Sequence, residues 1–225
     1  MDEVKIDRII RSKRRTFSIE INPKGLLTVR APLRATVGEI TKVVKEKCDW
    51  IKRKKKEISQ KVAQKKKRHY ITGEKFECLG KDFTLIVKEG HKYAFSTSGD
   101  ELIINSQYQK VAKSLLIYWY KNQAYKYISK RTNHYSEIMH LRYNKINITG
   151  ANTRWGSCSN NKNINFSWRL VLAPKQVVDY VIVHELAHLI EMNHSEKFWN
   201  RVARIMPNYM IYETWLKENG HLLDL

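Results

Sequence analysis

Cysteine is scarce in this sequence. Of 225 residues only Cys48, Cys78 and Cys158 carry a thiol, an odd number with no CxxC spacing. That excludes a disulfide framework and a cysteine-based zinc knot, and it suits a reducing compartment. Long apolar runs are missing too. No stretch approaches the roughly 18 consecutive apolar residues of a membrane span, and Met1 to Arg15 alternates charged with apolar residues instead of carrying the apolar core of a signal peptide. The expectation is a soluble, cytoplasmic protein with no membrane partner. A glycine-rich phosphate loop of GxxxxGK[ST] type is absent. Acidic residues are the last shortage: 22 Asp and Glu stand against 42 Lys and Arg, a formal net charge of +20. Such a field concentrates polyanions, so it favours nucleic acid, nucleotides or acidic proteins without naming one.

Apolar residues are plentiful. With 42% hydrophobic and 11% aromatic residues, the chain can bury a core in one large domain or two small ones. Its first hundred residues read as β-rich. Phe17, Ile19 and Ile21 share one face of a strand, and Asn22-Pro23-Lys24-Gly25 turns it into a second strand, Leu26 to Ala31. Thr36 and Glu39 have capping-box spacing, and Val37, Ile40, Val43, Val44, Cys48 and Ile51 predict an amphipathic helix from Thr36 to about Lys56. Much of the positive charge lies in Lys52 to Lys56 and Lys65 to Arg68, runs that are either a solvated helix face or a nucleic-acid contact. Short antiparallel strands are expected at 75–78, 82–88, 92–96 and 101–104.

The hydrophobic period changes at Ser106. Val111, Leu115, Leu116, Trp119, Tyr125, Ile128, Tyr135 and Ile138 predict one or two long helices with aromatics in the core. Strands return at 145–149, 152–156 and 164–172, followed by a helix opening at Ala173-Pro174. The division expected is therefore a basic, β-rich region over 1–105 and a second domain over 106–225, an α+β fold.

One stretch of the second domain carries chemistry. Val181 to Ser195 reads V-I-V-H-E-L-A-H-L-I-E-M-N-H-S, with no Gly or Pro and apolar residues at helical spacing. Residues four apart on a helix differ by about 40° in azimuth, so His184 and His188 point the same way and can share a metal ion. Glu185 sits beside the first ligand, in the position of a general base acting on a water at the open side of the metal. His194 is the third candidate. On a continued helix it would lie about 280° round and nearly three turns on, so the chain must turn, with Asn193 in a left-handed conformation and Ser195 capping the next helix. Imidazole donors and an open position favour one Zn²⁺, other divalent metals being alternatives. Arg154 is the one charged group of Arg154-Trp155-Gly156-Ser157-Cys158 that can meet an anion, either an oxyanion in catalysis or a structural carboxylate. Ser157 is a substrate donor or a turn hydroxyl, and Cys158 is set aside as a fourth ligand because it would close the site.

His184 to His194, Arg154 to Ser159, Trp168-Arg169-Leu170 and His194-Ser195-x-x-Phe198-Trp199 together resemble the YgjP-like family of metal-dependent hydrolases, over about residues 15–220. The resemblance implies a zincin-type metallopeptidase domain related to SprT-like proteins, with a small antiparallel sheet, an HExxH helix, a three-His zinc site and a catalytic Glu. The histidine spacing is also that of metzincins, but Glu191 stands where they have Gly. The reading is a zinc-dependent, peptidase-like hydrolase acting on peptide or protein. Two alternatives stay open: a nucleoside triphosphate pyrophosphohydrolase, an activity also attributed to the family, and a nucleic-acid-associated protein whose basic region targets the hydrolase.

Overall fold

The computed structural model describes residues 4–22, 25–63 and 67–225. It contains six α-helices, ten strands and three 3-10 turns among those residues, and its packing divides between Lys67 and Arg68.

In the first unit, β1 (Arg8–Ser12), β2 (Ser18–Ile21) and β3 (Leu27–Pro32) form a sheet of order β1-β3-β2. The central strand alternates as its sequence demands, burying Leu27, Val29 and Ala31. The β2–β3 hairpin is antiparallel with Ile21 opposite Leu27, as the alternation implies, while Pro23 and Lys24 of its turn lie outside the described residues. β1 runs parallel to β3, a strand that alternation alone does not distinguish from a charged tail. The expected helix is there but in two pieces, α1 (Val37–Glu46) and α2 (Cys48–Ala63). Thr36 and Glu39 form the full capping box. The hydrogen-bond ladder continues through the kink at Lys47, which donates to Val43 O while Ile51 donates to Lys47 O. Ile40, Val44 and Ile51 are buried in this unit's core. Lys52 to Lys56 lie on α2; Lys65 and Lys66 fall outside the described residues.

The second unit opens with β4 (Lys75–Cys78), β5 (Lys81–Lys88), β6 (Phe95–Ser98) and β7 (Glu101–Asn105), in the order β4-β5-β7-β6. Two of the three pairings are antiparallel as expected, and β5–β7 is parallel. The reason is topological: the β6–β7 hairpin docks through its second strand, which must then run with β5. Leu79 and Gly80, both at positive φ, make the tight β4–β5 turn. The change of hydrophobic period at Ser106 does not coincide with a packing boundary, because Phe76, Leu85, Leu102 and Ile104 share one core with Leu116 and Tyr120.

Helix α3 (Ala112–Ile138) runs for 27 residues, roughly 40 Å, as a spine. Its Tyr120 is buried, stacks on Trp168 at 5.7 Å and donates to Glu77 O. The next sheet consists of β8 (Lys145–Thr149), β9 (Gly156–Cys158) and β10 (Asn163–Ser167), ordered β8-β10-β9. It is a mixed sheet, not the antiparallel one expected. β9 and β10 are a hairpin, which leaves β8 only the other edge of β10, reached in a parallel sense. The strand expected to end at Leu172 stops at Ser167, where a 3-10 turn over Trp168–Leu172 buries four apolar side chains. Helix α4 (Lys175–Ala187) follows, with Pro174 at its N-cap, then α5 (Glu196–Ile205) and α6 (Tyr209–Asn219).

α4 is buried around most of its circumference: Val177 to Val183 and Glu185 to Ala187 are all buried. Its Asp179 therefore needs partners, and α3 supplies them. Arg131 grips both carboxylate oxygens through Nε and Nη2 at 2.7–3.1 Å, and the hydroxyls of Tyr127 and Tyr135 donate to them at 3.1 and 3.3 Å. A buried ion pair broken on one side costs roughly 3–5 kcal/mol, and with Arg131 28% exposed the figure falls to about 2–3 kcal/mol. Arg131→Ala is expected to lose that much stability in chemical denaturation. A loss under about 0.5 kcal/mol, the size of a surface pair, would show that the cluster does not hold α3 to α4.

Candidate metal centre

The last turn of α4 carries His184 and Glu185, and His188 is the residue that caps it. The chain then tightens, Leu189 N–H bonding to Leu186 O and Ile190 N–H to Ala187 O. Asn193 is not among the residues at positive φ, so these successive short turns, and not a left-handed residue, bring the chain round. Ser195 caps α5 by accepting from Phe198 N–H, as its position implies. His194 thus returns to face α4.

The three imidazoles converge. Their ring centroids are 4.8–5.0 Å apart pairwise, the Nε2 atoms of His184 and His194 are 3.0 Å apart, and one ligand atom from each ring lies within 4.8 Å of the others. Two nitrogens bound at 2.0–2.1 Å to one tetrahedral ion would be roughly 3.3 Å apart, so the observed spacing fits a shared cation. The protonation state also suits one. Burial first, and then the other two histidines, push His184 down to about 3. Burial likewise lowers His188, with His194 adding to it and the Glu191 carbonyl opposing. Both rings are neutral and keep a lone pair. His188 Nδ1 lies 2.9 Å from Glu191 O, which fixes Nδ1 as the donor and leaves Nε2 for the centre. Glu191 thus acts through its backbone, its carboxylate lying 4.0 Å from Arg201.

Aromatic rings enclose the cluster. Phe198 stands 4.5–4.9 Å from all three imidazoles, and Trp199 stacks on His194 at 5.7 Å. Tyr209 stacks on Trp199 at 5.1 Å, and Tyr180 packs edge-on to His184 at 5.9 Å. Tyr180 was findable from sequence, since it lies one turn before His184 on the same helix face. Met206 packs against the core, whereas Met210 is exposed.

Glu185 is buried, and its Oε2 has no hydrogen-bond partner among the described residues. Desolvation raises its carboxyl to about 8, with Arg154 pulling the other way. Arg154 is exposed, makes no ion pair among the described residues, and lines with Trp155, Gly156, Tyr180, His184 and Glu185 a cavity of about 370 Å³. Cys158 stays outside the metal-ligand cluster; burial, and then the charge of Glu185, raise its thiol. Ser157 lies on β9 and accepts from Asn165 Nδ2, so it is not a turn hydroxyl. Trp168 is buried in the core, while Trp155 is only partly buried and lines the cavity.

A family model described as YgjP-like, metallopeptidase domain, matches residues 15–219. No curated protein is significantly similar to the chain. Two solved structures are similar to it. The metallopeptidase zymogen of Pyrococcus abyssi abylysin has 18% identity and a TM-score of 0.38, over 41% of this chain and 95% of that one. The metallopeptidase zymogen of Methanocaldococcus jannaschii jannalysin has 23% identity and a TM-score of 0.37, over 42% and 96%.

Gly156 of β9 touches Glu185 so closely that a Cβ there would fall 2.5 Å from its Cγ and Oε1. Gly156→Ala must displace the carboxyl and is expected to cost about 1–3 kcal/mol, as overpacking does. In a Glu185→Ala background most of that cost should vanish, giving a coupling above about 0.5 kcal/mol in a double-mutant cycle of denaturation. Strict additivity would show that Glu185 is not what requires glycine here.

Proposed function

The chain belongs to the YgjP-like metallopeptidase-domain family, and from that premise we propose that it is a zinc-dependent peptidase whose ion is held by His184, His188 and His194. The observation that carries the reading is the convergence of three imidazoles beside a buried carboxylate whose Oε2 has no hydrogen-bond partner among the described residues. Three nitrogen donors suit zinc and leave one coordination position for chemistry, where a structural site would fill all four. When bound, zinc supplies Lewis acidity, polarising a substrate carbonyl and making a water more acidic.

The chain's own groups do the rest. Glu185 Oε2, desolvated and without a donor of its own, accepts the proton of the attacking water and passes it to the leaving amine. Burial raises the proton affinity of that carboxyl, which suits it to hold the proton between its removal from water and its delivery to the amine. Gly156, having no side chain, lets the strand edge lie against that carboxyl and holds it in place. The Glu191 carbonyl keeps the His188 ring in one tautomer. Phe198 and Trp199 cover the ligand rings and exclude water from their backs. Arg154, on the wall of the same cavity, offers a bound substrate a cation.

Glu185→Gln is expected to retain about one zinc per chain by elemental analysis while hydrolysis of unfolded protein falls by about 10²- to 10⁴-fold. Alanine at His184, His188 or His194 should lose the ion. Nucleoside triphosphates offered in parallel should survive. Turnover by the glutamine variant at the parent rate removes the role given to Glu185, and cleavage of triphosphates alone replaces the peptidase reading.

A further inference from the structure

A second cavity, of about 310 Å³, lies across β9 from Glu185. Neighbouring side chains of a strand face opposite ways, so Gly156 meets the carboxyl of α4 while Ser157 turns to the other side of the sheet. Arg154, Trp155 and Gly156 line both cavities, which therefore meet around the edge of a three-residue strand.

The polar groups of this second cavity differ in what they have left to give. Ser167 Oγ donates to Ala151 O, and Thr149 Oγ1 donates to Phe166 O, so both hydroxyl protons are spent. Ser157 is different. Asn147 Nδ2 donates to Asn165 Oδ1, and Asn165 Nδ2 donates to Ser157 Oγ, a ladder running across β8, β10 and β9. The Ser157 oxygen is thereby used as an acceptor, and its own proton has no acceptor among the described residues. The one charged donor of the lining is Arg154, whose guanidinium has no ion pair among the described residues. Among the described residues no acidic side chain lines this cavity. A planar fork and one hydroxyl donor make a site for a planar anion with two oxygens. A phosphate, with three oxygens and more charge, would leave part of itself unpaired there.

We propose that this cavity receives the carboxylate of an Asp or Glu flanking the scissile bond of the substrate, an inference that rests on the peptidase reading above. The Asn147–Asn165–Ser157 ladder is its built wall and Arg154 its cation. The protein then prefers acidic segments, and its overall positive charge helps bring them in.

The test is binding, and so does not require turnover. Acetylated, amidated Ala-Ser peptides carry a single Glu at successive positions, each with a Gln twin, and are titrated calorimetrically into the Glu185→Gln protein. At one position the Glu peptide should bind roughly five- to tenfold tighter than its twin. Arg154→Gln should abolish that preference and Ser157→Ala should at least halve it, with thermal unfolding confirming that each variant is folded. An equal preference at every position would mean that only the net field acts and would overturn the site. So would no preference at all, tighter binding of phosphoserine than of Glu at that position, or a preference that survives Arg154→Gln. Should the parent protein bind the Glu peptide with the expected preference yet cleave no peptide, the peptidase reading fails and the carboxylate site stands.

Discussion

The second unit depends on α4 being surrounded by protein while carrying three ionisable groups. A helix buried on all faces is ordinarily apolar throughout. This one bears Asp179 and Glu185 among its buried residues, with His184 half-buried beside them. Burial charges each group several kcal/mol for its ionised form unless something nearby repays it. The structure answers differently for each. Asp179 receives a guanidinium and two phenol hydroxyls. His184 stays neutral. Glu185 receives nothing that hydrogen-bonds its inner oxygen. Two acids six residues apart on one helix thus live in opposite environments, the first built to anchor the helix and the second left hungry for a proton.

That contrast gives the Arg131–Asp179 cluster a role beyond stability. The imidazole positions are set by the height and rotation of α4, and a small slide of the helix along α3 would carry His184 away from His194. The cluster pins α4 toward its N-terminal half, and α5 and α6 pack against it through Phe198, Trp199 and Tyr209 nearer the histidines. Helix and returning loop are thereby fixed from two sides, so a cation would find its ligands already within 4.8 Å of one another.

What could be read from the chain beforehand followed local rules. The four-residue spacing of His184 and His188, the Thr36–Glu39 box and the Ser195 cap depend on neighbours a turn away, and each stands where its spacing puts it. Strand direction does not obey local rules. The parallel pairs β1–β3, β5–β7 and β8–β10 are decided by which edge a hairpin leaves free, and nothing within a single strand records that. The turn to His194 was anticipated in its place but not its means, because Asn193 has the residue type of a left-handed cap while the short bonds at Leu189 and Ile190 already bend the chain. The partners of Asp179 are 44 to 52 residues away in sequence, beyond any pattern of period two or 3.6.

Gly156 joins these two kinds of information. A glycine inside a strand often marks a bulge or a close approach of another backbone or side chain. In the folded chain the approaching group is the Glu185 carboxyl, so the strand edge and the helix meet through the absence of one Cβ. The consequence runs along β9 in both directions. Residue 156 must be small to leave the carboxyl its place, and alternation then forces residue 157 to the opposite face, where its hydroxyl joins the asparagine ladder. Arg154, two residues before the glycine, reaches both sides because the strand begins only at Gly156 and the edge there has no further neighbour. A longer β9 would wall the two cavities apart. Its three-residue length is what lets Arg154, Trp155 and Gly156 line both cavities.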